Sequence, residues 1–150
     1  MPSENSSGSR GNKARVLIVE DDTSLLFGLK KNLQFEGYEV LTASDGEAGL
    51  GLAVDGRPDL IILDVMLPRM NGFEVCEVLR SNKIETPVIF LTAKSLETDK
   101  ITGLTLGGDD YMTKPFSVAE LLARMQTVLR RVHGARSEEH TSELQSHLHL

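Results

Sequence analysis

"PDLIILDVMLPRMNG", residues 58–72, decides the fold. Leu60 to Leu63 form an unbroken apolar run that stops at one carboxylate, Asp64. Pro68 and the pair Asn71-Gly72 then break the chain. A run that is apolar at every position, rather than at every second one, fits a strand covered on both faces, as in a parallel sheet. Asp64 on its own fits a helix or turn cap as well as a reactive group. What surrounds it has to decide.

Outward from this stretch, two kinds of segment alternate. Short β-branched runs predict strands at "RVLIV" (15–19), "YEVLTA" (38–43), "LIIL" (60–63), "VIFLT" (88–92) and "YMT" (111–113). Helix-period segments lie between and after them, at 24–35, 46–54, 72–81, 97–106 and 117–132. In the first, Leu25, Leu26, Leu29 and Leu33 share one stripe and the lysines take the other. Ser117 and Glu120 have capping-box spacing, and Gly37 and Gly107 stand where helices should stop. The order, βα repeated five times, predicts an α/β domain with a doubly wound five-stranded parallel sheet between two helix layers, over residues 14–132.

The bulk numbers agree. The chain has 150 residues, 40% hydrophobic and 25% charged, which suits one soluble domain. No apolar run approaches the ~20 residues of a transmembrane helix. The start, "MPSENSSGSRGNK", lacks the apolar core of a secretory signal and is expected to be a disordered leader, residues 1–13. A single cysteine, Cys76, excludes an internal disulfide and a cysteine-built metal cluster, and fits a small core filler. These features favour the cytoplasm. A net charge of -6 argues against binding nucleic acid by bulk electrostatics.

In open α/β sheets, sites form outside the carboxyl ends of the strands. Strand one ends in Glu20, Asp21 and Asp22, strand three in Asp64, strand four in Thr92, and strand five runs into Lys114-Pro115. Each has a bland reading: Asp22 as a helix cap, Thr92 as a hydroxyl bonded to backbone, Lys114 as a surface charge. Four strand ends that agree outweigh these. Clustered carboxylates raise one another's pKa, and a divalent cation relieves them; all-oxygen ligands suit Mg²⁺. Such an ion beside a carboxylate nucleophile and a lysine is equipment for phosphoryl transfer to that carboxylate.

With those residues in place, "VLIVEDD", "PDLIILDVMLPRMNGFEV", "PVIFLTA" and "GGDDYMTKPFSVAELLARMQTVLRR" together closely resemble the receiver domain of two-component response regulators. The last two stretches are most similar to the OmpR/PhoB-like subfamily, which carries a C-terminal winged-helix DNA-binding domain. The resemblance implies a flavodoxin-like fold with Asp64 as phospho-acceptor from a sensor histidine kinase. It implies Mg²⁺ held by Glu20, Asp21, Asp64 and the Met66 carbonyl. It implies Lys114 on the phosphoryl oxygens with a cis Lys114-Pro115 bond, and Thr92 and Tyr111 as the switch pair. Met66 and Lys94 flank the site and are expected to set the phosphoryl lifetime. A homodimer formed on phosphorylation would use Lys100, Asp109, Asp110, Glu120, Arg124 and Arg131, with Lys100–Glu120 and Asp110–Arg124 bridging a two-fold axis. Thr105 and Gln126 depart from the acid and base often found at their positions.

A receiver is its own substrate rather than a turnover enzyme. An Asp-nucleophile phosphatase on a similar sheet would need a second Asp two residues after the first, where this chain has Met66. A flavin or nucleotide domain would want a glycine-rich phosphate loop, and neither such motif follows strand one. A stand-alone receiver acting in a phosphorelay or through protein contacts is the alternative. The tail, residues 133–150, is expected to be non-native: "RSEEHTSELQSH" (136–147) matches the translation of a common sequencing-library adapter, and His149-Leu150 fit the bases after a short index. On that reading residues 136–150 are adapter, the tail histidines are no metal site, and DNA is reached only through a missing C-terminal domain.

Overall fold

The computed structural model describes residues 14–93, 101–102, 105 and 107–132. The expected leader, the tail, Lys94 and Lys100 lie outside them, as does most of the 97–106 segment.

The strands are β1 (Arg15–Val19), β2 (Glu39–Ala43), β3 (Leu60–Asp64), β4 (Val88–Thr92) and β5 (Asp110–Thr113). The helices are α1 (Thr23–Phe35), α2 (Gly46–Asp55) and α3 (Gly72–Ser81), then α4, the helical residues 101, 102 and 105, and α5, residues 118–132. One sheet of order β2-β1-β3-β4-β5 holds all five strands in parallel. The expected α/β sheet is what forms.

Period-2 alternation divides the core in two. Leu17, Val19, Ile61, Leu63 and Phe90 face α2 and α3, where they meet Ala53, Val75, Cys76 and Leu79. Val16, Ile18, Leu60, Ile62, Ile89 and Leu91 face α1 and α5, where they meet Leu29, Leu33, Leu121, Met125 and Val128. Every residue of β3 and β4 is buried, which is why both read as apolar throughout. Burying each Leu or Ile contributes about 1.5–3 kcal/mol.

Local chemistry sets the helix ends. Asp22 caps α1, accepting from the Leu25 N–H, as its bland reading required. Asp45 caps α2 and Asn71 caps α3, the latter in a reciprocal capping box with Glu74. Ser117 accepts from the Glu120 N–H, while the Glu120 carboxylate pairs with Arg124. At the far end of α1, Gly37 has φ 97°, and Tyr38 and Gly37 donate to Leu33 and Gln34. That is a Schellman stop. The end of α3 repeats it with Ile84 and Lys83 donating to Leu79 and Arg80, but with Lys83 in the left-handed position, φ 63°.

β1 is followed in the sheet by β2 on one side and β3 on the other, so the winding reverses between β1 and β3. The carboxyl ends of those two strands flank the crevice where such sheets bind ligands.

Candidate functional site

Glu20 follows the last residue of β1, its N–H donating 3.0 Å to the Ala43 carbonyl, which continues the ladder to β2. Its side chain is 1% exposed. Asp64, the last residue of β3, is 3% exposed. Both strands therefore drive a carboxylate into the crevice, and Asp21 stands beside them on the surface. One oxygen from each of Glu20, Asp21 and Asp64 lies within 4.8 Å of the others.

Lys114 crosses from the end of β5. Its ammonium donates to Glu20 Oε1 at 2.8 Å and to Asp64 Oδ2 at 3.0 Å. The other oxygens are also engaged: Glu20 Oε2 accepts from the Asp22 N–H and Asp64 Oδ1 from the Met66 N–H. Burial pushes the Glu20 carboxyl above its ordinary range, against the lowering effect of Lys114. Burial also works to lower Lys114, but its bonds to the two carboxylates lift it above its ordinary value on balance. The ammonium is thus firmly charged and Glu20 is held at a cost. Two acids share one base.

Thr92 ends β4, 2% exposed and level with Thr113 of β5. The Lys114 N–H donates to the Thr92 carbonyl at 2.6 Å, and the Lys114-Pro115 bond is cis as expected. Tyr111 pairs in register with Phe90, below the site and already buried. The Met66 side chain is 70% exposed and points no polar group at the carboxylates. The structure therefore brings Glu20, Asp21, Asp64 and Lys114 together, and puts Thr92 on the neighbouring strand end.

The expected dimer-face residues also cluster. Asp109, Asp110, Glu120, Arg124 and Arg131 line one shallow groove. The Asp110–Arg124 pair, expected across a two-fold axis, is closed within one chain: Arg124 Nη1 lies 2.9 and 3.0 Å from the two Asp110 oxygens. Arg124 also reaches Glu120 at 3.3 Å. Asp109 accepts from the Val88 N–H at 2.9 Å, at the opposite end of the sheet from Asp64, and faces Arg80 at 3.7 Å.

Sequence reasoning missed three contributors. Asn71 was read as part of a turn, although Asn71-x-x-Glu74 has cap spacing. Gly72 is needed for room: a Cβ there would lie 2.3 Å from the Asp64 carbonyl oxygen. Arg80 ties the end of α3 to the Ile84 and Gly107 carbonyls at 2.8 Å each. No sequence signal announces that tie, since its partners are backbone atoms.

Residues 16–126 match the family described as "Response regulator receiver domain". The chain belongs to that family, and is the receiver domain of a response regulator. It is 53% identical over 117 residues to the "Alkaline phosphatase synthesis transcriptional regulatory protein PhoP" of Bacillus subtilis, a match covering 78% of this chain and 49% of that protein. It is 46% identical to "Response regulator MprA" of a Mycobacterium species, covering 78% and 51%. The chain thus spans about half the length of the curated relatives it matches. Among solved structures, a Francisella response regulator receiver domain superposes with a TM-score of 0.77 at 36% identity, over 80% of this chain and 99% of that one. Receiver domains of this family are normally signalling units rather than turnover enzymes, and bind Mg²⁺ at an acidic pocket. Among the described residues no helix is long and apolar enough to cross a membrane.

Proposed function

We propose that Asp64 accepts a phosphoryl group from a phospho-histidine on a sensor kinase, in the cytoplasm, and that the acyl phosphate switches a dimer face that controls transcription. The observation that carries this is the Lys114 ammonium bonded to both buried carboxylates, 2.8 and 3.0 Å away. The His N–P bond breaks as the Asp64 O–P bond forms, so the electron pair returns to the imidazole and no redox partner is needed.

The donor set fits Mg²⁺. Three carboxylates, two of them buried, with one lysine leave net negative charge at the site, and hard oxygen ligands are what this ion takes. Glu20, Asp21, Asp64 and the Met66 carbonyl would hold it, and when bound it would neutralise charge on the transferring phosphoryl oxygens. The chain's own groups do the rest. Lys114 pairs with a phosphoryl oxygen as Asp64 gives up its share of the ammonium. Thr92 donates its hydroxyl to another oxygen, and Tyr111, packed beneath on β5, registers that movement toward the α5 groove. The transcriptional role in the name of the Bacillus relative is extended to this chain on their 53% identity, and would be exercised through a DNA-binding domain joined to the receiver.

The test is intact mass after incubation with Mg²⁺ and acetyl phosphate. One added phosphoryl group that needs Mg²⁺ and vanishes in Asp64→Asn supports the reading. A folded chain that takes no phosphoryl group, both as given and when ended at Ala135, refutes it.

A further inference from the structure

The loop from Val65 to Asn71 leaves the acceptor strand and must return to α3 without drifting from the site. Its near side is tied to the sheet: the Val65 N–H donates to the Leu91 carbonyl at 2.8 Å and the Gly72 N–H to the Val65 carbonyl at 2.9 Å. Its far side rests on an element that takes no part in the chemistry, the first turn of α2. The Gly46 N–H donates to the Pro68 carbonyl at 3.2 Å. A helix leaves its first N–H groups without internal partners. Here the loop supplies one. The Met70 carbonyl comes closer still: a Cβ built on Gly46 would lie 1.7 Å from its oxygen and 2.6 Å from its carbon. Gly46 does not have positive φ, so glycine is required here for space and not for conformation. Asp45 fixes the position of that first turn by capping it, accepting from the Ala48 N–H at 2.7 Å, and its second oxygen faces Arg69 at 3.7 Å.

We propose that Gly46 is a positioning residue for the acceptor loop: it lets the α2 N-terminus press against the Pro68 and Met70 carbonyls and so sets where Met66 sits relative to Asp64. The methyl group of an alanine would meet backbone, which has no side-chain rotamer to give way. The 65–71 loop would have to lift. Two features of the site depend on its height, the Met66 N–H that donates to Asp64 Oδ1 and the Met66 carbonyl assigned above to the metal. This inference rests on the proposed phosphoryl chemistry only for the second of these.

The test compares Gly46→Ala with Gly56→Ala. Gly56 lies at the other end of α2, and a Cβ there is also crowded, 2.6 Å from Leu41 and 2.7 Å from the Leu52 carbonyl. The first readout is amide hydrogen exchange in the metal-free protein. Exchange should quicken across 65–71 in Gly46→Ala and stay as in the parent chain in Gly56→Ala. The second is the Mg²⁺ dependence of phosphorylation by acetyl phosphate. Half-maximal Mg²⁺ should rise about tenfold in Gly46→Ala, as for loss of a group that orients a metal ligand, with a smaller change in the maximal rate. Asp45→Ala, which removes the cap without adding bulk, should shift both in the same direction and by less. It keeps the question open to decision if Gly46→Ala does not fold. Unchanged exchange and Mg²⁺ dependence in Gly46→Ala, or equal changes in both glycine variants, overturn the proposal. If the parent chain takes no phosphoryl group, the function reading fails, while hydrogen exchange still decides the role of Gly46.

Discussion

A single carboxylate illustrates how the site is balanced. Glu20 is buried, and burial raises its pKa above the ordinary 4.5. In the metal-free protein, between 4.5 and the raised value, the native state holds a proton that the unfolded state has released. Stability therefore falls as pH rises through that window. Lys114 has the same sign in a higher window: lifted above 10.5, it contributes stability that persists at neutral pH and is lost only as pH climbs through its raised value. With Mg²⁺ chelated, the urea midpoint should drop as pH increases from 4.5, and Glu20→Gln should flatten that drop. An unchanged slope in the variant would mean that another group carries it. Met66 matters for what it lacks. Its exposed thioether has nothing to orient an attacking water, so loss of the phosphoryl group should be slow. Met66→Asn should speed that loss, read as decay of the phosphorylated mass after removal of the donor. The chemistry-bearing residues were legible because each stands at the end of an apolar run, where sequence and position coincide. What each contacts was not: that Lys114 bridges Glu20 and Asp64 depends on strand order, which brings residues 94 and 50 positions apart together.

Elements were legible where period and caps agreed. α3 spans the same residues, 72–81, that its pattern predicts, bounded by Asn71 and a Schellman turn. Less visible was the conformation of its last turn. Lys83 occupies a left-handed position that glycine adopts without strain. That conformation costs a side-chain residue about 1–2 kcal/mol. Glycine gives back roughly 0.5–1 kcal/mol through the greater freedom of the unfolded chain. Lys83→Gly should accordingly stabilise the domain by about 0.5–1 kcal/mol, seen as a higher urea midpoint at unchanged slope. A lower midpoint would show that the lysine side chain contributes more than its backbone strain costs. The Asp110–Arg124 pair, expected between chains, is made within one chain from β5 to α5, where Arg124 also meets Glu120. Charge and spacing alone do not say whether a pair closes inside one molecule or between two, and partly exposed pairs differ by only ~0–1 kcal/mol either way.

For the whole molecule, the sheet is the organising plane, and among the described residues the buried core falls into two clusters, one on each face of it. Cys76 lies in one of them, fully buried, its thiol pushed up by burial. As the only cysteine in the chain, it reports on the integrity of that half. Thiol reagents should label it only through global opening, at a rate suppressed by the same factor as the unfolding equilibrium measured in urea. Faster labelling would mean that α3 opens on its own. The fold class followed from the alternation of strand and helix periods, since continuous apolar runs leave few alternatives to a sheet covered on both sides. The docking of α2 on the acceptor loop did not, because Gly46 acts by having no side chain.

Strand order also has a consequence in time. Asp64 precedes Lys114 by 50 residues. At roughly 5–20 residues per second of synthesis, the ribosome delivers Asp64 about 3–10 s before the cation that pairs with it. β1, β2 and β3 are adjacent in the sheet and complete by then, but β4 and β5 are not. A half-made chain carries its acid pair without its base. On the proposed chemistry, competence to receive a signal arrives with the last strand, so an unfinished copy cannot answer for a finished one.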